Sequence, residues 1–261
     1  MRVAISGAAG AMGQRVVALV AATADMELVA AIERADHPDL GKDAGLLAHV
    51  AELGVPLTSD LTGEPDVLID FSAPTATLAR ARDCARRGVP LVIGTTGLPA
   101  EARAEIEKQI AARIPVLVAA NMSLGVNLLV RLAEIAARAL PGYDVEIVEV
   151  HHRRKKDAPS GTARELADRL LKALDRGEEA LIYGREGITG ARTSDEIAIH
   201  AVRGGDVVGD HTVIFAGEGE RVELTHRATS REVFAQGALR AARFVAGQKP
   251  GLYSMQDVLG A

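Results

Sequence analysis

The first half of the chain alternates short apolar runs with longer segments of helical period. The apolar runs are rich in β-branched residues and predict strands at 2–6, 28–32, 67–71, 91–94 and 116–119. The segments between them predict helices at 12–22, 75–87 and 101–112. Strands separated by helices pair in parallel, because the chain must cross over to return in the same direction. The pattern therefore predicts an α/β fold with a doubly wound parallel sheet.

The pattern changes near residue 123. A helix is predicted at 124–140, and strands are predicted at 145–150, 197–202, 207–215 and 221–226. The last three strands are joined by short connections rich in Gly and Asp, which predicts an antiparallel meander. The helical period at 230–245 predicts a helix that returns to the first domain. We expect one domain from residues 1–122 with 231–261, and a second α+β domain, residues 123–230, with a mostly antiparallel sheet.

Composition narrows the class of protein. The 261 residues carry a formal net charge of -5, and 48% are hydrophobic, as in ordinary globular proteins. This charge and an aromatic content of 3% argue against a nucleic-acid-binding protein. Cys84 is the only cysteine, which excludes an intrachain disulfide and fits a reducing compartment. The longest uncharged run, 114–130, contains Pro115 and polar residues, so no membrane span is predicted and we expect a cytoplasmic protein.

The sequence GAAGAMG, residues 7–13, lies between the first predicted strand and the first predicted helix. Glycines there let the backbone approach a pyrophosphate, whose charge the helix N-terminus stabilises. Glu33 follows Gly13 by 20 residues and could accept hydrogen bonds from ribose hydroxyls. Arg34 could pair with a 2′-phosphate, although an isolated Arg in a loop is commonly only solvated. A glycine-rich turn also serves close packing alone, but this context favours a Rossmann-type site for NADH or NADPH.

Two further segments follow predicted strands at the edge where open α/β sheets bind ligands. They are GTTG, residues 94–97, and AANMS, residues 119–123. Both supply small and hydroxyl side chains beside backbone groups. Each taken singly could also be a strand-to-helix turn capped by Thr or Ser.

The segment HHRRKKDAPSGTA, residues 151–163, places two histidines beside four cations in an acidic chain. It could be a solvated loop, a nucleic-acid patch, a metal site or an anion and proton-transfer site. Glu149 shares a strand face with His151, but nothing nearby in the sequence completes a set of metal ligands. Lysines supply compact positive charges, and histidine ordinarily changes its charge near neutrality. These properties favour the anion and proton-transfer site.

A helix is predicted directly after the basic residues. Thr162 and Glu165 have the spacing of a capping box, and Leu166, Leu170 and Leu171 follow with helical period. The backbone N–H groups of Gly161 and Thr162 would then attract carboxylates to the helix N-terminus. We expect a small polyanionic substrate.

The sequence EIVEVHHRRKKDAPSGTA, residues 146–163, resembles the signature of the 4-hydroxy-tetrahydrodipicolinate (dihydrodipicolinate) reductase family of bacterial lysine biosynthesis. Other segments resemble the family in its order along the chain: GAAGAMG, ERAD at 33–36, DFSAP at 70–74, GTTG, AANMS, RGGDVVGDHT at 203–212 and LYSMQDVLG at 252–260. The resemblance implies reduction of 4-hydroxy-tetrahydrodipicolinate to tetrahydrodipicolinate by NADH or NADPH, with loss of water. It also implies a homotetramer whose second domains meet through their sheets.

The same resemblance implies a role for each matching residue. His151 is the proton donor or acceptor and Lys155 a second donor, while His152, Gly161 and Thr162 bind the substrate. The cofactor is bound by Gly7, Ala8, Ala9, Gly10, Ala11, Met12, Glu33, Arg34, Gly94, Thr95, Thr96, Ala119, Ala120, Asn121 and Met122. Met122 stands where many members have a phenylalanine near the nicotinamide, so the packing of that ring stays open.

Two other functions stay open at this point. Another Rossmann-type amino-acid dehydrogenase would share the glycine segment but gives no reason for the basic segment. A non-catalytic NAD(H) sensor would bind the dinucleotide without turnover.

Overall fold

A computed structural model of the chain describes residues 1–260, which form two compact units. Unit 1 contains residues 1–123 and the segment that starts at Glu232, and unit 2 contains Leu124–Arg231. The predicted domain boundaries lie one residue away from these. Among residues 1–260, none of the helices combines the length and the apolar character needed to cross a bilayer.

The helices and strands follow one another as a run of βα units and then a second, mixed set. The strands are β1 Arg2–Ser6, β2 Glu27–Ile32, β3 Leu57–Thr58, β4 Val67–Asp70, β5 Leu91–Ile93, β6 Pro115–Val118, β7 Asp144–His151, β8 Leu181–Tyr183, β9 Ile197–Arg203, β10 Gly209–Gly217, β11 Glu220–Ala228 and β12 Gly251–Tyr253. The α-helices are α1 Ala11–Ala21, α2 Ala44–Leu47, α3 Pro74–Arg87, α4 Ala100–Glu105, α5 Leu124–Ala139, α6 Gly161–Ala173, α7 Glu232–Ala246 and α8 Met255–Val258. A π-helical turn, Ile106–Ile110, continues α4, and a 3-10 turn, Glu178–Ala180, precedes β8.

Unit 1 is built on a seven-stranded sheet with the order β12-β6-β5-β4-β1-β2-β3. All of its strand pairs are parallel. Strands β4 and β5 are completely buried, as expected when helices cover both faces of a sheet. The chain runs from β1 to β2 and β3 and then returns to β4 on the other side of β1. This reversal places a ligand-binding crevice at the carboxyl ends of β1 and β4 and confirms the predicted doubly wound fold.

Unit 2 has a five-stranded sheet with the order β11-β10-β7-β9-β8. Strand β10 is antiparallel to β11 and β7, whereas β9 is parallel to β7 and β8. The sheet is therefore mixed rather than mostly antiparallel. The predicted meander is confirmed for β10 and β11, which pair antiparallel, and wrong for β9 and β10, because β7 lies between them. The connection 204–208 can span about 17 Å, more than the roughly 10 Å between strands two apart. A connection as short as this one can therefore link two strands that are not adjacent in the sheet.

Helices α5 and α6 pack on the same apolar cluster as the buried face of this sheet. The cluster includes Leu129 on α5, Leu166 and Leu170 on α6, and Ile147 and Phe215 on the sheet. Along β7 the buried positions alternate with partly exposed ones, so the glutamate at position 149 falls on the buried face. An ionisable side chain at such a position requires charged or hydrogen-bonding partners.

Candidate active site

The glycine segment of unit 1 forms a tight turn between β1 and α1. Gly7 has a φ of +77°, and a Cβ there would lie 2.4 Å from the carbonyl oxygen of Phe71. A Cβ on Gly13 would lie 1.9 Å from the carbonyl oxygen of Gly7. Close packing therefore requires both glycines. Gly10 begins α1 without a side-chain cap, so the turn also presents N–H groups at a helix N-terminus.

Glu33 lies against this turn. Its Oε1 accepts a hydrogen bond from the backbone N–H of Ala9 at 3.3 Å, and its Oε2 accepts one from the N–H of Arg34 at 3.2 Å. The two features that the sequence predicted to share a site are therefore in contact within unit 1. The guanidinium of Arg34 is 63% exposed and lies 3.3 Å from the carboxylate of Asp36. Arg34 and Asp36 thus form a surface ion pair, in which the guanidinium is accessible to anions from solvent.

The segment 94–97 is fixed by a buried carboxylate that the sequence analysis missed. Asp70 accepts hydrogen bonds from the hydroxyls of Ser72, Thr77 and Thr95 at 2.6, 2.6 and 2.9 Å. The Thr95 hydroxyl therefore has a structural partner, whereas Thr96 is exposed. A Cβ on Gly94 would lie 2.2 Å from the ring of Phe71, so this glycine is required for packing.

The segment 119–123 follows β6 at the same edge of the sheet. Its backbone is held by a hydrogen bond from the N–H of Ala119 to the carbonyl of Ile93 and by the Asn121 side chain, which accepts from the N–H of Ser123 at 2.9 Å. Ala120 is exposed, and the Met122 side chain is 2% exposed. The segment is a structured turn with small residues at its surface.

Unit 2 contains a polar cluster, here called the His151 cluster, that consists of Glu149, His151, Ser160, Arg203 and His211. Glu149 is its centre, and the Glu149 side chain is 0% exposed. Arg203 donates to both of its carboxylate oxygens at 2.7 Å, and the backbone N–H of Ser160 donates to Oε1 at 3.0 Å. The Nδ1 atom of His151 lies 2.6 Å from Oε2. Burial alone would raise the pKa of Glu149, but the hydrogen bonds from Arg203 and His151 outweigh it and hold this pKa below its usual value. The carboxylate is therefore ionised at neutral pH.

His151 ends β7 at the edge of this cluster, with its side chain 12% exposed. Its ring stands edge-on to that of His211, with 5.2 Å between the ring centroids. The Nε2 atom faces Gly209, where a Cβ would lie only 3.0 Å away. One ring nitrogen of His151 is thus bound to a carboxylate, and the other lies beside a position that carries no side chain.

His211 is a second histidine in this cluster, and it is almost fully buried. Its Nε2 atom pairs with the hydroxyl of Ser160 at 3.0 Å. Burial, and then the positive charge that His151 can carry, lower the pKa of His211 to about 4. This side chain is therefore neutral at physiological pH.

Ser160, and not Thr162, is the N-cap of α6. Its hydroxyl accepts from the N–H of Ala163 at 3.2 Å, so the predicted capping box of Thr162 and Glu165 is wrong. The reason is the backbone conformation of Ser160. An N-cap residue has extended dihedrals, as Ser160 does with φ -66° and ψ 155°, and the helix begins at the next residue, Gly161. Gly161 and Thr162 are the first two residues of α6, so their N–H groups lie at the helix N-terminus, as predicted, although Thr162 is inside the helix and not its cap.

The cations of the basic segment differ in their surroundings. The ammonium of Lys155 lies 2.8 Å from the carboxylate of Asp157 and its side chain is 17% exposed, whereas Arg153, Arg154 and Lys156 are exposed. The Nδ1 atom of His152 is buried and has no hydrogen-bond partner within the described residues. Within residues 1–260, no three His, Cys, Asp or Glu side chains are arranged to hold a metal.

Sequence reasoning missed Arg203 and His211. Both lie in the segment 203–212, and strand register brings them to the cluster: Arg203 is opposite His151 on β9, and His211 is opposite Glu149 on β10. The segment was recognised only as a family resemblance, because the pairing of β7 with both neighbours was not predicted.

Comparison with known proteins relates the whole chain to one family. The family model for the N-terminus of dihydrodipicolinate reductase matches residues 1–122, and the model for its C-terminus matches residues 125–259. A 4-hydroxy-tetrahydrodipicolinate reductase from Anaeromyxobacter sp. is 53% identical, with 100% of this chain and 98% of the relative covered. The protein of that name from Burkholderia ambifaria is 51% identical, covering 100% and 99%.

A solved structure agrees with the relatives found by sequence. The dipicolinate-bound dihydrodipicolinate reductase from Paenisporosarcina sp. TG-14 has a TM-score of 0.79 and 32% identity, with 97% of each chain covered. Family models, sequence relatives and structure thus agree over both units. The chain belongs to the 4-hydroxy-tetrahydrodipicolinate reductase family, the NAD(P)H-dependent oxidoreductases also called dihydrodipicolinate reductases.

Proposed function

We propose that His151 supplies the proton in the reaction of this reductase, the NAD(P)H-dependent reduction of 4-hydroxy-tetrahydrodipicolinate to tetrahydrodipicolinate with loss of water. The observation that carries the proposal is the asymmetric environment of the His151 ring. Nδ1 is bound to the ionised carboxylate of Glu149 at 2.6 Å, while Nε2 lies beside Gly209. A histidine held in this way can deliver a proton from Nε2 to the substrate carbon next to the one that accepts hydride.

The residues of unit 1 fit a dinucleotide. The β1–α1 turn approaches its neighbours too closely for a side chain at Gly7 or Gly13 and ends in uncapped helical N–H groups, as pyrophosphate binding requires. We propose that the turn residues 7–12 hold the phosphates, that Glu33 accepts from the ribose, and that residues 94–96 and 119–122 line the nicotinamide. When bound, the reduced nicotinamide supplies the hydride. Arg34 would meet the 2′-phosphate of NADPH.

The substrate is a small dicarboxylate, in keeping with the dipicolinate named for the Paenisporosarcina structure. We propose that its carboxylates are held by Lys155, by the N–H groups of Gly161 and Thr162 in the first turn of α6, and by His152. Helix N-termini and ammonium groups both favour anions. The present partner of Lys155 is the carboxylate of Asp157, which a substrate carboxylate would replace.

Two properties of the assembled enzyme stay predictions. We propose a homotetramer that assembles through the sheets of its second domains, as the sequence resemblance implies. A cytoplasmic location likewise rests on the sequence. Light scattering on the purified protein tests the first, because a monomer or dimer at working concentration would contradict it.

The experiment that tests the proton donor is oxidation of NADH or NADPH, measured by absorbance, with the condensation product of pyruvate and aspartate semialdehyde as substrate. His151→Gln and Lys155→Ala should each lower kcat by about 10² to 10⁴, since a positioned general acid typically contributes that much. Arg153→Ala is the matched control: this exposed cation of the same segment should change mainly KM, and more at low salt.

The outcomes separate the competing functions. Wild-type kcat in His151→Gln would remove His151 from the reaction, and wild-type turnover in Lys155→Ala would remove Lys155. Absence of cofactor oxidation in the unmodified enzyme, together with tight NADH binding, would instead favour a dinucleotide sensor. If His151 and Lys155 act on one proton-transfer step, the double variant should be little slower than the slower single variant.

A further inference from the structure

The buried carboxylate of Glu149 lies between His151 and the guanidinium of Arg203. We propose that Glu149, held by Arg203, is a positioning residue that keeps His151 in the tautomer with Nδ1 protonated and so reserves Nε2 for the substrate. The inference rests on the proposed role of His151. It assigns a function to two side chains, on β7 and β9, that do not themselves need to touch the substrate.

The first argument is the number of donors around Glu149. Oε1 accepts from Arg203 Nη2 at 2.7 Å and from the N–H of Ser160 at 3.0 Å, and Oε2 accepts from Arg203 Nη1 at 2.7 Å. An ionised carboxylate only accepts hydrogen bonds. The 2.6 Å contact of Oε2 with His151 therefore requires a proton on Nδ1 of the histidine. In the neutral ring Nε2 then carries the lone pair, and in the protonated ring it carries the proton that can be donated.

The second argument is rigidity. Arg203 is itself fixed, because Nη1 also donates to the carbonyl of Val202 at 2.7 Å and Nη2 to the carbonyl of Asp157 at 2.8 Å. Bidentate arginine–carboxylate pairs have a fixed geometry, so the carboxylate has little freedom to turn away from the imidazole. The orientation of His151 is thereby tied to the pairing of β7 with β9, in which Arg203 is the direct partner of His151.

The third argument is the charge around the ring. Glu149 on β7 favours the protonated imidazole, while Arg203 on β9 and Lys155 in the following loop oppose it. His211 on β10 is neutral near pH 7 because burial, first, lowers its pKa to about 4. Asp157 is engaged with Lys155 at 2.8 Å. Glu149 is therefore the carboxylate in direct contact with His151 among the described residues, and its loss would leave cations facing the ring.

The same strand provides a matched control. Glu146 on β7 also binds a histidine, with 2.6 Å between Oε2 and His200 Nε2, and it also accepts from two arginines, Arg185 and Arg192, at 3.0 Å. It lies on the opposite face of the strand, since positions three apart alternate. Glu146→Gln removes a carboxylate with similar partners and leaves the His151 cluster untouched.

The test compares Glu149→Gln with Glu146→Gln in the full-length enzyme. We expect Glu149→Gln to lower kcat by about 10²-fold with KM changed by less than about threefold, because orientation of the acid is lost and binding is not. A donor that works in its protonated form loses activity as pH rises. The falling side of the kcat–pH profile should move to lower pH by at least about one unit when the carboxylate is removed. Glu146→Gln should leave both measurements unchanged.

A readout that does not depend on turnover separates this inference from the proposed function. ¹⁵N spectra of histidine side chains report the tautomer, and the His151 signals are identified by their loss in His151→Gln. We expect an Nδ1-protonated ring in the unmodified enzyme and a mixture in Glu149→Gln. A changed tautomer with unchanged kcat would refute His151 as the donor while leaving the positioning role intact.

Two results would overturn the positioning role. One is an unchanged His151 tautomer and pH profile in Glu149→Gln. The other is an equal loss of kcat in Glu146→Gln, which would mean that the loss comes from disturbing any paired carboxylate of β7 and not from the contact of Glu149 with His151. If Glu149→Gln does not fold, as judged by its thermal transition, Glu149→Asp serves instead. It keeps the charge but draws the oxygens back from Nδ1, so an intermediate loss of kcat is expected and full activity would refute the proposal.

Discussion

Gly209 offers a way to perturb His151 without touching any of its hydrogen bonds. It is the first residue of β10, and its backbone is outside the left-handed region, so alanine causes no backbone strain there. A Cβ on Gly209 would lie 3.0 Å from His151 Nε2 and 3.4 Å from Cδ2. The added methyl group would occupy the space through which Nε2 is proposed to reach the substrate.

The size of the effect follows from these distances. A carbon 3.0 Å from a ring nitrogen is a few tenths of an ångström closer than ordinary contact, so the imidazole must shift by about that amount. A small overpacking of this kind costs about 1 kcal/mol of folding stability. Misplacement of a catalytic group by 1 Å can cost about 10²-fold in rate, so a shift of a few tenths, with the approach to Nε2 narrowed, should lower kcat by about tenfold.

The assay is cofactor oxidation with Gly209→Ala, and Gly204→Ala is its control. Gly204 precedes β10 in the same connection, its N–H donates to the carbonyl of His151, and an added Cβ there would meet nothing within 4 Å. We expect Gly204→Ala to keep its kcat and Gly209→Ala to lose about tenfold, with thermal transitions within a few degrees of each other. Wild-type kcat in Gly209→Ala would refute the idea that Nε2 delivers the proton on this side.

Two further predictions concern charges outside the His151 cluster. Arg34→Ala should weaken NADPH binding more than NADH binding by a factor between about 10 and about 150, since a charge-assisted bond to the 2′-phosphate is worth roughly 1.5 to 3 kcal/mol. Equal losses in titrations with the two cofactors would remove Arg34 from the site. Burial would raise the pKa of Glu146, but hydrogen bonds from Arg185 and His200 lower it to about 2 from an ordinary value of 4.5. The stability that Glu146 contributes is then complete above about pH 4.5 and lost as pH falls toward 2, by about 3 kcal/mol. The free energy of unfolding of Glu146→Gln, measured with urea between these pH values, should lack this part of the pH dependence. A dependence on pH equal to that of the unmodified protein would contradict the prediction.

The parallel sheet of unit 1 could be predicted because its signals are local. Each βα unit shows its own change of period, from a short apolar run to a helical pattern, and Gly7 and Gly13 mark the turn where backbones approach closely. The two-residue β3 is too short to show alternation, and β12 has the sequence Gly-Leu-Tyr and not an uninterrupted apolar run, so both strands were missed.

The strand order of the unit 2 sheet could not be predicted from local sequence signals. The strands 197–202, 207–215 and 221–226 were found, but strand order depends on which apolar faces cover the same core, and this is not encoded in the connections. With β7 inserted between β9 and β10, Arg203 and His211 reach the same cluster from its two sides. Without that order neither residue could be connected to His151, although the contact between Glu149 and His151 follows from the period of two alone.

Glu146 and Glu149 show why a motif does not by itself define a site. Both lie on β7, and both bind a histidine at 2.6 Å and at least one arginine. They differ in the face of the strand on which they lie and in the structural elements next to them. Glu149 is buried against the N-terminus of α6 through the N–H of Ser160, beside the first helical turn that is proposed to hold carboxylates. The same side-chain chemistry thus serves stability on one face and, by this reasoning, proton transfer on the other.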